Sequence, residues 1–268
     1  MSYMEDLFSV RGKTALVTGG ATGIGRMIAT GLISAGANVL IASRKVSDCE
    51  RVAAELNEIG GGRAEGFGAD VATEEGIAAL AADVAKRTDR LHILVNNAGA
   101  SWGAPLGAVP YKAWAKVLDV NLTAVFHLTQ QLLPLLEKAA SADDPARVIN
   151  LGSVMGTLAI TGVYSYSASK AAVHQVTRML ALELAPRHVT VNAFAPGPFQ
   201  SRMMDFAVGS DEKAKSVGDK VPLGRIGVPD DIAGATLYLC SRAGRHVTGA
   251  ILPLDGGQSI QHGVTLFE

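Results

Sequence analysis

The sequence predicts an α/β chain built on a doubly wound, seven-stranded parallel sheet with helices on both faces. Three observations lead there. Short, β-branched apolar runs alternate with longer stretches of helical period, and the runs are nearly continuous in apolar character, as strands covered on both faces must be. Glycine is abundant, 30 among 268 residues, without a G-X-Y period, which suits many tight turns and close backbone approaches. Strand–helix alternation implies parallel pairing through right-handed crossovers, hence three layers in a single domain spanning residues 1–268.

The strands are expected at 14–18, 38–42, 64–69, 91–96, 148–151, 190–193 and 250–254. Helical stretches lie between them at 25–35, 47–59, 74–87, 111–138, 165–184 and 229–241. Two segments break the rhythm. Residues 141–146 (Ser-Ala-Asp-Asp-Pro-Ala) are a polar connection before the fifth strand. Residues 196–227 are longer and carry Met203, Met204, Phe206, Val208 and Val221 among charged residues, the pattern of a lid over a binding site or of a surface excursion.

Composition excludes several classes. Apolar residues make up 48%, enough for a buried core, and 24 basic against 25 acidic residues leave no field for nucleic acid or acidic membrane. Cys49 and Cys240 stand far apart with no ligand cluster, so neither a disulfide framework nor a metal site is expected. The N-terminal Met1-Ser-Tyr-Met-Glu-Asp is acidic where a signal peptide is basic, and no apolar run approaches the ~18 residues of a membrane span. A cytoplasmic protein is the expectation.

After the first strand comes Gly19-Gly20-Ala21-Thr22-Gly23-Ile24-Gly25, opening into a helix. Glycines there permit a tight turn and close approach of a pyrophosphate, which the helix N-terminus then receives; this is the Rossmann arrangement. A glycine turn used only for packing is the plainer alternative. The second strand ends Ser43-Arg44-Lys45, with cations where an NAD site carries an acid, so a 2′-phosphate and NADP(H) are expected. Asp70-Val71 and Asn97-Ala98-Gly99 follow the third and fourth strands at the nucleotide-binding edge; Asp70 could accept from an adenine amine or cap a helix, and Asn97 could simply shape a turn.

The fifth strand leads into Ser153, and thirteen residues on stand Tyr166 and Lys170, which share a helix face with ~40° offset. Tyr164 lies off that face. A phenol titrates near ~10, and a cation about 4 Å away at an effective dielectric of ~20 is worth roughly 4 kcal/mol, or about three pK units. That is the pull before desolvation opposes it; Lys170 together with an oxidised nicotinamide nearby is expected to bring Tyr166 into working range as an acid/base, with Ser153 orienting the substrate oxygen. Asn121, in an apolar helical stretch, could hold a relay water or be a satisfied structural amide. Ser153 lacks a G-x-S-x-G elbow, and no histidine completes a triad, which disfavours a hydrolase.

These stretches, with Pro196-Gly197, make the chain similar to the short-chain dehydrogenase/reductase family over nearly its whole length. The resemblance implies a catalytic tetrad of Asn121, Ser153, Tyr166 and Lys170. It implies a cofactor site of Gly19, Thr22, Gly23, Ile24, Gly25, Ser43, Arg44, Lys45, Asp70, Val71, Asn97, Ala98, Gly99, Tyr166, Lys170, Pro196, Gly197 and Ser201, the last a serine where the family often has a threonine. Within the family the chain resembles 3-oxoacyl-acyl-carrier-protein reductases, in particular the rhamnolipid-associated type, through Ala100-Ser-Trp102-Gly, Asp144-Pro-Ala-Arg-Val-Ile-Asn150 and Phe199-Gln-Ser201-Arg-Met203. Arg187 stands where that group carries a carrier-docking arginine, while Asp143 and Asp144 replace positions that tend to be basic. Expected partners are a small ketone or acyl thioester, an acyl carrier protein, and further copies of the chain in a homotetramer. Trp102 is expected to line the substrate pocket or to anchor packing. Sugar-acid dehydrogenases share much of the pattern, and a nucleotide sensor without turnover is the non-enzyme alternative.

Overall fold

The seven apolar runs pair into one parallel sheet in the computed structural model, which describes residues 2–201 and 208–261. In chain order the strands are β1 (Thr14–Thr18), β2 (Asn38–Ser43), β3 (Ala64–Gly68), β4 (Ile93–Asn96), β5 (Ala146–Leu151), β6 (Val189–Pro196) and β7 (Ile251–Leu254). Their spatial order is β3-β2-β1-β4-β5-β6-β7. Every expected strand is present, with ends shifted by a few residues. The helices among the described residues are α1 (Tyr3–Leu7), α2 (Gly23–Ser34), α3 (Val46–Ile59), α4 (Glu74–Arg87), α5 (Tyr111–Leu118), α6 (Ala124–Ala139), α7 (Tyr164–Leu184), α8 (Asp211–Gly218) and α9 (Pro229–Cys240).

Side chains alternate across each strand, and the core divides accordingly. Val17, Ile41, Val95 and Ile149 point to the face covered by α2, α3 and α9, where Ile28, Leu32, Val52 and Ile232 meet them. Leu16, Leu40, Leu94 and Val148 point to the face covered by α4, α6 and α7, against Leu80, Leu128, Leu132 and Leu180. Because the chain runs outward from β1 to β3 and then returns to β4, neighbouring crossovers at β1 and β4 lie on opposite faces. Their carboxyl ends flank the crevice where ligands bind in such sheets.

Buried polar groups fix the long helices onto the central strands. Asn96 donates to Thr129 Oγ1 at 3.1 Å and to Asn150 Oδ1 at 2.9 Å, and Asn150 donates to Thr177 Oγ1 at 3.0 Å. All four residues are buried, so their pairing is obligatory.

The structure differs from expectation in two elements. The helix expected at 111–138 is interrupted by a π-helical turn, Asp119–Thr123, centred on Asn121. Apolar periodicity does not register one extra residue per turn, and such insertions mark sites where a helix must re-aim a side chain. Within 196–227, β6 continues to Pro196 and α8 supplies a helix, while Val208 and Val221 are buried, so the described part is packed rather than a loose excursion. Met203, Met204 and Phe206 lie outside the described residues. No helix among the described residues is long and apolar enough to cross a membrane, and Cys49 and Cys240 are free and buried.

At the amino-terminal edge of the sheet, fully buried Arg147 and nearly buried Lys13 share the carboxylate of Asp144. Arg147 also donates to Ser241 O at 2.9 Å, which ties β5 to the end of α9. Burial pushes the Asp144 carboxyl up, but the hydrogen bond from Lys13 and the charge of Arg147 hold it below the usual range. Its contribution to stability is therefore present above the ordinary carboxylate pKa and lost as pH falls through the depressed one. Asp144→Asn should cost about 2 kcal/mol, less than a fully buried pair because the carboxylate is partly exposed. Denaturant titrations at neutral and acid pH check this: the gap between variant and wild type should close in acid.

Candidate active site

The carboxyl ends of β1, β4, β5 and β6 open onto a cavity of about 400 Å³ whose lining includes Gly19, Thr22, Gly23, Ile24, Asn97, Ser153, Tyr166, Lys170, Pro196, Gly197 and Ser201. A second cavity, about 250 Å³, shares Gly19, Thr22, Ala98 and Gly99 with it and extends to Ser43, Arg44, Lys45, Asp70 and Val71. The expected cofactor residues thus line one continuous crevice, apart from Gly25, which supports it from behind.

Close approach explains the glycines. Gly19 and Gly23 adopt φ of +65° and +52°, a region costly for other residues. A Cβ on Gly25 would stand 2.3 Å from Asn97 Nδ2 and 2.5 Å from Gly19 O. Asn97 Nδ2 itself donates to Thr18 O at 2.8 Å and Gly19 O at 3.2 Å, and Thr18 Oγ1 accepts from the backbone of Asn97 and Ala98 at 3.0 Å. Asn97 therefore staples the β4 tip to the glycine loop. Thr22, at the N-cap of α2, makes no side-chain cap, and the first turn holds no acid. Its amide N–H groups and positive dipole end remain available to an anion, and Ser201 stands over Gly23, so the residues fit a dinucleotide phosphate.

At the β2 tip Arg44 and Lys45 are exposed, and Ser43 Oγ lies 3.0 Å from Cys49 Sγ. Asp70 is exposed on the crevice and accepts from Ala72 N at 3.1 Å. The cap of α4 is Thr73, so the capping alternative for Asp70 falls away.

At the reactive end, Ser153 caps a short turn by accepting from Met155 N at 3.1 Å. Tyr166 lies in the first turn of α7, and Lys170 sits one turn further, its Nζ 5.6 Å from the centre of the Tyr166 ring. Lys170 is buried and donates to Leu151 O at 2.6 Å. The three side chains converge as the spacing requires, and Tyr164 lies outside the cavity lining.

Burial raises the Tyr166 phenol above its ordinary value, only partly opposed by the Ser153 hydroxyl, and burial pushes Lys170 down to about 8. Desolvation is the largest influence on both groups. A protonated phenol is the result, suited to giving a proton. The Asn121 side chain accepts from Ala100 N at 2.7 Å and donates to Ala100 O and Ser169 Oγ, each at 2.9 Å. Both amide N–H groups are in use, and Asn121 positions the loop after β4 against α7.

Trp102 is 46% exposed and lies outside the cavity lining, where Ser101 stands instead, so it does not line the described cavity. Arg187 is ion-paired with Glu137. Residues unmarked by the sequence pattern complete the cavity: Met155, Val163, Val217 and Gln258. They come from four separate segments, and only the tertiary fold brings them together. His174, one turn past Lys170, packs under Gly152 and Gly156 and is pushed down to about 4, chiefly by burial.

Fold, glycine crevice and the serine–tyrosine–lysine cluster together define a dehydrogenase or reductase, and the chain belongs to the short-chain dehydrogenase/reductase family. The family model described as enoyl-(acyl carrier protein) reductase matches residues 19–259. Among individual proteins, a rhamnolipids biosynthesis 3-oxoacyl-acyl-carrier-protein reductase of Pseudomonas aeruginosa is 46% identical, covering 95% of this chain and 99% of that one. The Pseudomonas aeruginosa RhlG/NADP active-site complex superimposes with a TM-score of 0.90 at 45% identity, over 95% of this chain and 99% of that one. A putative NAD(P)-dependent gluconate 5-dehydrogenase from Beutenbergia cavernae with bound NADP gives 0.86 at 38% identity, over 95% and 100%.

The crowding at Gly25 is testable. Gly25→Ala should lose about 2 kcal/mol in denaturant titration through overpacking. Gly234→Ala in α9, where nothing lies within 4 Å of the added carbon, should be neutral or gain up to about 1 kcal/mol.

Proposed function

We propose that this protein is an NADP(H)-dependent carbonyl reductase that converts 3-oxoacyl thioesters to 3-hydroxyacyl thioesters. The observation that carries the reading is the meeting of Tyr166, Ser153 and Lys170 in one cavity with walls of Val154, Met155, Val163, Phe199 and Val217. Among the described lining residues of that cavity, Lys170 is the one cation, and its ammonium donates one of its bonds to Leu151 O. A sugar acid would bring a carboxylate with no counter-charge there beyond Lys170, whereas an acyl chain is matched by apolar walls.

The residues assign the steps. Amide N–H groups at the start of α2 hold the pyrophosphate, and Arg44 and Lys45 neutralise the 2′-phosphate, which selects NADP over NAD. Asp70 and Val71 border the adenine end; Pro196, Gly197 and Ser201 border the nicotinamide end. When bound, the nicotinamide supplies hydride to the carbonyl carbon. Ser153 orients the carbonyl oxygen, and Tyr166 delivers its proton to that oxygen, giving the alcohol. Lys170 then supports the phenolate until solvent reprotonates it. Asn121 keeps the Ala100 loop in register. A protein that only sensed the nucleotide would have no use for this acid and its supporting cation.

The chain acts as one catalytic domain, with 196–227 as a substrate lid; Val217 of α8, which lines the cavity, supports that role. A cytoplasmic homotetramer is part of the same reading, supported by exposed Trp114, Phe126, Met179 and Leu182 on α5, α6 and α7. The thioester is carried by coenzyme A or by an acyl carrier protein; the pairing of Arg187 with Glu137 and the exposed acid of Asp143 favour the former.

Steady-state kinetics on acetoacetyl thioester should show NADPH preferred over NADH by about tenfold or more, and Arg44→Ala should bring the two toward parity. Tyr166→Phe should lose about 10²–10⁴ in kcat while retaining NADPH binding. Reduction should slow as pH rises through about 8, where Lys170 sheds its proton and the phenolate loses its supporting charge. Full activity of Tyr166→Phe would overturn the mechanism.

A further inference from the structure

One polar side chain in the cavity has no task in the mechanism above. Gln258 comes from the turn after β7, lines the same cavity as Ser153 and Tyr166, and belongs to none of the motifs that mark the family. Among the described residues its carboxamide makes no hydrogen bond. Oε1 is shielded from solvent without a partner, packed over Gly197, whose added Cβ would lie 3.1 Å from it.

The turn that presents Gln258 is rigid. Asp255 accepts from Gly257 N at 3.0 Å through Oδ1 and from Ser259 N at 2.7 Å through Oδ2, so the carboxylate grips the backbone on both sides of Gln258. Those contacts hold the Asp255 carboxyl below its usual range against the opposing effect of burial. Gly256 and Gly257 take φ of +62° and +93°, and Pro222 packs 3.2 Å from a Cβ added at Gly257. A half-buried carboxamide without a partner among the described residues, on a braced turn beside the reacting groups, is an arrangement that a ligand completes.

We infer that Gln258 is a substrate-specificity residue whose Nε2 donates a hydrogen bond to the second carbonyl of a β-dicarbonyl substrate, the thioester carbonyl of a 3-oxoacyl thioester. This rests on the reading of the protein as a 3-oxoacyl thioester reductase. Oε1 is turned against Gly197, which leaves the amide nitrogen as the end with donors to offer. Gly197 follows β6, the strand next to β5, so Gln258 stands about one strand spacing, ~5 Å, along the sheet from the tip that carries Ser153. The two carbonyls of a 3-oxoacyl thioester are separated by a single methylene. With the ketone at Ser153 and Tyr166, a thioester oxygen directed toward β6 would meet this amide. An ordinary monoketone has no oxygen to place there.

The experiment compares wild type with Gln258→Met and Gln258→Glu, which keep length while removing the donor. The substrates are acetoacetyl-N-acetylcysteamine and a monoketone of matching chain length, both with NADPH, and nucleotide affinity is measured separately by fluorescence titration. Both variants should lose about tenfold or more in kcat/KM on the β-keto thioester, while activity on the monoketone and the NADPH Kd change by less than about twofold. Equal losses on both substrates, an unchanged thioester kcat/KM, or weakened NADPH binding would each overturn the assignment. Should wild type turn over the monoketone but not the thioester, the reading of the substrate class fails first and this role for Gln258 fails with it.

Discussion

An ammonium kept away from water beneath the tip of β5 governs the reactive half of this molecule. Lys170 is buried and held by the carbonyl of Leu151, so α7 is pinned to the end of the strand that carries Ser153. Tyr166, one turn earlier on the same helix, has its position decided by that tie. The same burial that fixes the geometry sets the chemistry: it lowers the lysine to about 8 and raises the phenol. Desolvation acts on both groups at once, and the site consequently holds a proton on the tyrosine rather than an anion.

The other half of the crevice is organised by absence of bulk. Gly19 and Gly25 leave the glycine loop close enough to the β4 tip for Asn97 to hold it by two backbone carbonyls. The two halves are not independent, because Asn96, beside Asn97, belongs to the buried network running through Asn150 to Thr177 on α7. A single chain of hydrogen bonds therefore couples the strand that borders the glycine loop to the helix that bears Tyr166 and Lys170. Low local dielectric makes such a network costly to leave incomplete, which favours one register over its neighbours.

Stability and chemistry occupy opposite edges of the sheet. At the amino-terminal edge, Lys13 and Arg147 share the single carboxylate of Asp144, and none of the three lines the cavities described above. At the carboxyl edge the polar groups remain open: the first turn of α2, the phenol of Tyr166 and the amide of Gln258. Parallel strands point every carbonyl-terminal loop to the same side, so functional residues from β1 to β7 converge there.

The seven strands, the glycine turn and the spacing of Tyr166 and Lys170 were readable in the sequence because each depends on local pattern: continuous apolar runs, turn chemistry, and i,i+4 geometry. The cations at Arg44 and Lys45 were readable for the same reason, standing directly at a strand end. The depth of burial of Tyr166 and Lys170 was not readable, and that burial raises the phenol and lowers the lysine. The π turn at Asn121 was invisible because one inserted residue leaves the apolar count unchanged. Trp102 misled, since a large aromatic near a motif carries no record of whether it faces a cavity or solvent. Gln258 reached the site from a turn more than ninety residues beyond Tyr166, where only chain crossover and sheet order decide proximity. Local pattern determined which elements form and which residues can share a face; desolvation and the meeting of distant segments arise only when the chain is packed, and those the tertiary structure alone decided.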